Sequence, residues 1–398
     1  MPKSGLTVIL VATAIAGVVS YFVTWLVPRV IGFAEYTTFA VFWAALYLLV
    51  GTLFGVQQEV TRGTRRVDTD APNPARTFGL LVAVVTFAAV LATSPLWVGA
   101  VFADYGWGLV LPLAAGAASY AVVAVLGGTL FGLSEWRSAA GLLLLDALLR
   151  VIAVAIALAV THDIVAIAWA VVVPFPLSIL LVWPFVRSRV AGKATLDVGY
   201  RQLTWNVGRT VTAAAATGAM VSGFPLLFGL ASDGEPASLV GMIILAATLV
   251  RAPLIVVVQA LQGYLLVQFR DAPERASRRL LLILAGLAGA GLVLAALGWL
   301  LGPLVFGWLF PGEPVPGAGF IAVLVASSAL VGSLSVTGAA VLARNRHHLY
   351  TAGWVTGALV TIVALLLPLD LEPLAITALI AGPAAGLAVH LSGLALRR

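Results

Sequence analysis

The stretch FGLSEWRSAAGLLLLDALLR, Phe131 to Arg150, decides how this chain is read. It opens on a polar turn, Ser134-Glu135-Trp136-Arg137, then turns almost wholly apolar for about twenty residues past Ala139, enough for a helix to cross a bilayer core. Inside that run stand one acid, Asp146, and one base, Arg150. A charge at mid-bilayer costs about 2.5–3.5 kcal/mol on the insertion scale, so the pair needs a reason. Four residues apart on a helix, the two side chains share a face and can neutralise each other. Two readings stand open: a buried ion pair that fixes helix packing, or a cavity-facing Arg150 steered by its acid. Buried pairs stabilise weakly after desolvation, so stability alone is a poor reason to keep one.

Working outward, the whole chain behaves like this stretch. It is 62% hydrophobic and 10% charged, with a mean hydropathy of +1.09, which excludes a soluble domain built on one core. Twelve apolar runs are long enough to span: 6–27, 37–56, 78–101, 107–131, 139–160, 164–186, 206–230, 239–267, 280–301, 318–343, 349–368 and 373–395. The first is too long for a signal-peptide core and ends in Trp25-Leu26-Val27-Pro28-Arg29, so it is read as a retained span. With the N-terminus inside, all of the 22 Lys and Arg residues except Arg29, Arg150 and Arg251 fall on the inner face. Both termini are therefore expected in the cytoplasm. This asymmetry also explains the isoelectric point near 10.0, and no nucleic-acid partner is expected. Zero cysteines exclude a disulfide framework and a thiolate metal site. No spacing resembles a zinc, P-loop or nucleophile motif, so no catalytic residue, metal or cofactor is expected.

The long inner loop 187–205 falls at the midpoint and divides the spans six plus six, giving an N-terminal lobe 1–198 and a C-terminal lobe 199–398. The halves echo each other. GGTLFGLSEWRSAAGLLL follows the fourth span and TGAAVLARNRHHLYTAGWV the tenth. The matching spans run the same way through the membrane, as parallel repeats about a membrane-normal pseudo-two-fold axis would. The expected fold is thus an all-α integral membrane protein, twelve transmembrane helices in two six-helix lobes.

Phe131 to Arg137, with Leu148-Leu149-Arg150 in the following helix, resembles the fourth-to-fifth span region of polysaccharide flippases. So does Gly32-Phe33-Ala34-Glu35-Tyr36-Thr37-Thr38-Phe39-Ala40 between spans one and two, with Thr37 where that family usually has Gly. These flippases belong to the multidrug/oligosaccharidyl-lipid/polysaccharide exporter superfamily. The resemblance implies two lobes around a central cavity, a bacterial plasma membrane, and transfer of an undecaprenyl-diphosphate-linked oligosaccharide from inner to outer leaflet. Membrane lipid and polysaccharide-assembly proteins are the implied partners.

The charges within the spans agree with an anionic substrate. Arg251 lies mid-way along the eighth span with no acid within a turn, and Gln259 and Gln262 follow on roughly the same face. An unpaired arginine facing lipid is implausible, so this face is expected to line a wet cavity, V-shaped between the lobes and bounded by spans one, two, seven and eight. Two intramembrane bases against one acid favour an anionic substrate, and the diphosphate that the resemblance implies fits, because the forked guanidinium matches phosphate oxygens. The candidate substrate-binding residues are Arg150, Arg251, Arg29, Arg209, Gln259 and Gln262, with Asp146 as charge partner. Arg29 also reads as an interface anchor, and Thr210, Thr217 and Gly218 of the seventh span as helix-packing contacts. Trp43 and Tyr47 are the best aromatic sugar platforms, or else core packing. Competing readings are a major-facilitator-type carrier for a small anion, a membrane scaffold that tolerates loss of Arg150 and Arg251, and an embedded glycosyl- or acyltransferase. The short outer loops, poor in paired acids, speak against the transferase.

Overall fold

The computed structural model describes residues 3–67, 74–102, 105–271, 273–344 and 346–395. The described chain is almost entirely helical. In order it forms α1 (Lys3–Gly63), β1 (Thr64–Arg66), α2 (Pro74–Thr93), α3 (Val98–Phe102), α4 (Trp107–Gly132), α5 (Trp136–Val160), α6 (Ile164–Val172) and α7 (Pro174–Val190). Then follow β2 (Ala194–Leu196), α8 (Tyr200–Ser222), α9 (Phe224–Ala231), α10 (Ala237–Asp271), α11 (Pro273–Leu309), α12 (Ala318–Ala343), α13 (His347–Ala364) and α14 (Leu371–Ala395).

Among the described residues, eight helical segments qualify as spans by length and hydropathy alone. The first of these holds two spans, because α1 breaks at Gly32. The bent pair α8–α9 and the shorter apolar helices Ala237–Arg251 and His348–Ala364 complete the twelve. The lipid is legible on α11, which exposes Leu281, Leu292, Leu300 and Leu304 along its length. A surface that apolar is stable only against hydrocarbon.

The chain forms two compact units. One comprises Met1–Val30 and Thr38–Gly218, the other Ile31–Thr37 and Ala219–Arg398. Two segments thus group otherwise than a single cut at 198/199 divides them: the outer turn Ile31–Thr37, and the part of α8 up to Gly218. Within the first unit, α8 lies against the second half of α1. Thr210 Oγ1 donates to Gly55 O at 3.1 Å, and a Cβ on Gly55 would meet Val211 N at 2.7 Å. Only a glycine lets the two backbones approach so closely, which is how helices associate where lipid supplies no hydrophobic drive.

The inner turns of the first unit are tied together. Strands β1 and β2 pair antiparallel, Thr64 opposite Leu196 and Arg66 opposite Ala194, and Arg65 reaches Asp197 at 2.7 Å. Glu135 of the turn between α4 and α5 receives Arg66 at 3.1 Å and Arg189 at 3.3 Å. Ser134 adopts φ 60 to make that turn, and Glu135 N donates to Leu130 O.

In the second unit the turn Ile31–Thr37 is held as firmly. Gly32 has φ 78, a conformation β-carbon-bearing residues adopt at a cost. The fresh helix start exposes Phe33 N, which donates to Glu313 Oε1 at 3.3 Å. The Phe33 ring is fully buried, with its centroid 5.9 Å from Phe306 and 5.5 Å from Phe310. Thr37 Oγ1 donates to Ala237 O at 2.6 Å. The glutamate acts as an N-terminal cap and complements the helix dipole. Glu313→Ala is expected to cost about 1 kcal/mol, and Glu313→Gln less, because the amide oxygen still accepts. Thermal unfolding of the purified protein in detergent measures both.

Candidate functional site

The first unit builds a polar node around Arg150, which is 4% exposed. Its guanidinium Nη2 donates to both oxygens of Asp146, at 2.9 and 2.8 Å. Nη1 donates to the Tyr47 hydroxyl at 2.5 Å, and Nε to Val171 O at 3.2 Å. The plane lies over the Phe175 ring, 4.6 Å from its centroid, with the Tyr47 ring at 5.8 Å. Tyr47 in turn stacks on Trp43 at 4.7 Å, and Tyr120 packs edge-on against Phe175. The node therefore joins α1, α4, α5, α6 and α7. Pro174 and Pro176 lack the backbone N–H that would carry a helix through, and α6 gives way to α7 there, beside the carbonyl that receives Nε.

Arg150 carries five N–H groups, and four protein acceptors are met here. The sequence brings Asp146 and Arg150 to one face, and the structure joins them as a bidentate pair. It also draws Tyr47 and Trp43, read above as sugar platforms, into the same node. Tyr120, Phe175 and the Val171 carbonyl are the members that the sequence reading missed.

Arg251, in the second unit, is a different case. It is 5% exposed, fourteen residues into α10, about 21 Å along the helix at 1.5 Å per residue. Its Nε is buried with no hydrogen-bond partner among the described residues. Burying an arginine inside a membrane span is costly unless it is paired or faces a wet cavity. The side chains of Gln259 and Gln262 lie outside the described residues. Arg29 is exposed and stacks over Trp25, 5.5 Å from the ring centroid. Arg209 is exposed on α8, beside the Thr210 that bonds to α1. Among the described residues no group of His, Asp and Glu could hold a metal ion. His390, fully buried in α14, lies 3.1 Å from Thr337 Oγ1 and 3.2 Å from Tyr350 O.

No family model matches the chain. It is 32% identical over 391 residues to the uncharacterized protein Rv3630 of Mycobacterium tuberculosis (strain H37Rv), covering 96% of this chain and 90% of that protein. It is 34% identical over 394 residues to the uncharacterized protein Rv1510 of the same strain, covering 97% and 90%. The chain belongs to this mycobacterial protein family. Solved structures show the fold of the chain. An inward-facing multidrug resistance MATE family transporter of the MOP superfamily superposes with a TM-score of 0.71, at 15% identity, covering 97% of this chain and 94% of the other. A MOP superfamily transporter from Pyrococcus furiosus, described as having a binding pocket of reversed polarity that suggests a different function, superposes with a TM-score of 0.62 at 16% identity, covering 99% and 95%. The chain thus has the MATE fold of twelve helices in two lobes, and it is a multi-pass membrane protein.

Proposed function

We propose that the chain is an alternating-access transporter that moves a lipid-diphosphate-linked oligosaccharide from the inner to the outer leaflet of a bacterial plasma membrane, with both termini cytoplasmic. The observation that carries this reading is Arg251, buried fourteen residues into α10, whose Nε no described residue accepts from. Its forked guanidinium suits phosphate oxygens, and Asp146, the acid within the apolar runs, is already taken by Arg150. The fold supports alternating access, and the GFAEYTTFA and FGLSEWR stretches support a flippase. Polysaccharide-assembly proteins are the partners such an activity calls for.

The test is transfer of a fluorescent polyprenyl-diphosphate sugar between leaflets of proteoliposomes. Charged hydrogen bonds contribute about 1.5–3 kcal/mol, so Arg251→Ala is expected to slow transfer about tenfold or more while the protein stays folded. Arg251→Lys keeps the charge without the fork and retains part of the rate. Wild-type transfer by Arg251→Ala sinks the proposal. Transport of a small anion in place of the lipid favours the carrier reading instead.

A further inference from the structure

The first unit holds a cavity of about 270 Å³ beside the turn between α4 and α5. Gly5 and Val8 of α1, Glu135, Trp136 and Arg137 at the start of α5, and Arg189 at the end of α7 line it. Its place in the fold is informative. Trp136 opens one span, Val8 lies one residue into another, and Arg189 closes a third. The cavity therefore sits where apolar helices give way to polar turns, at the level of lipid headgroups. It is on the face that the basic loops mark as cytoplasmic.

The charges here do not balance. Arg66, Arg137 and Arg189 gather around a single acid, Glu135, whose two oxygens are already engaged. Arg189 holds that acid loosely, at 3.3 Å, and its side chain is 53% exposed. Arg137 has no carboxylate partner among the described residues. It occupies the first turn of α5, where the helix dipole disfavours a cation unless an anion joins it. The opposite wall is apolar. A Cβ on Gly5 would lie 2.7 Å from the Trp136 indole, so the start of α1 presses directly on that ring. An indole beside arginines at a span end is the side-chain chemistry of a membrane interface.

We infer that this cavity binds the phosphate of an anionic membrane lipid, with Arg137 and Arg189 on the phosphate and Trp136 and Val8 along its glycerol. Basic pockets between spans on the cytoplasmic side suit such headgroups. The volume is below the roughly 300–1,000 Å³ of drug-sized pockets, which fits a headgroup and leaves the acyl chains in the bilayer. The apolar wall and the headgroup depth favour a lipid over free phosphate. The inference is independent of what the protein transports.

The test is thermal unfolding of the full chain in detergent, with phosphatidylglycerol, phosphatidylcholine or inorganic phosphate added at equal concentration. Phosphatidylglycerol is expected to raise the midpoint of the wild type and of an Arg278→Gln control on α11. Arg137→Gln and Arg189→Gln should each weaken the apparent lipid affinity roughly fivefold, and the double variant should abolish the shift. Arg189→Gln also loosens Glu135, so Arg137→Gln, which leaves every Glu135 contact in place, is the decisive variant. An unchanged shift in Arg137→Gln and in the double variant overturns the site. Equal stabilisation by phosphatidylcholine overturns the need for an anion, and equal stabilisation by inorganic phosphate overturns the lipid assignment.

Discussion

Arg150→Ala is expected to destabilise the protein by about 3–5 kcal/mol, the range for breaking a buried charge pair. The change strips Asp146 of its counter-charge and leaves the Tyr47 hydroxyl and the Val171 carbonyl without the donor they now accept from. Asp146→Ala should cost less, because Arg150 keeps Tyr47, Val171 and the Phe175 face. Replacing both by apolar residues of similar size, Asp146→Leu with Arg150→Met, should recover much of the loss, since a well-packed apolar pair avoids the desolvation of two ions. Thermal unfolding in detergent of the three variants decides the matter. If instead Arg150→Ala unfolds like the wild type yet fails to transfer the lipid diphosphate, Arg150 serves the substrate and the node is secondary.

The second large effect is steric. Gly241 of α10 lies against the turn at Gly32, and a Cβ there would stand 2.2 Å from Phe33 O and 2.7 Å from Thr37 Oγ1. The first obstacle is backbone, held by the buried Phe33 ring, so it cannot step aside. Gly241→Val is expected to cost about 3 kcal/mol, the upper part of the range for overpacking. Gly286→Ala is the matched control. It meets nothing within 4 Å, and alanine favours a helix over glycine, so stability should stay level or rise by up to about 1 kcal/mol. Equal unfolding midpoints for Gly241→Val and the wild type would show that the turn is not packed as described.

The twelve spans were legible because each is a long apolar run, and lipid imposes that length on any helix that crosses it. The break at Gly32 was legible only as a loop between spans one and two. The sequence does not say that helix continues on both sides of a single glycine at φ 78. The partnership of Asp146 and Arg150 could be read from their spacing, because same-face neighbours on one helix follow from the 3.6-residue turn. Tyr47, Tyr120, Val171 and Phe175 could not, since they come from four other helices and no periodicity reports a contact between helices. For the same reason α8 was assigned by its position after the midpoint loop, whereas its contacts up to Gly218 are set by how closely Gly55 allows it to approach. Arg251 was singled out as an intramembrane base without a nearby acid in the sequence, and the structure adds that it is buried, with no described residue accepting from its Nε.

The pairing of β1 with β2 has a practical side. The stretch 187–205 looks like a dispensable connector, the natural place to split the chain for co-expressed halves or to insert a reporter. Yet Ala194–Leu196 is a strand whose partner lies more than a hundred residues earlier, and Asp197 is fastened to both Gly63 and Arg65. A cut or insertion within 194–197 would therefore unpick the first fragment itself, and complementation by separately expressed halves should fail there even where every span inserts.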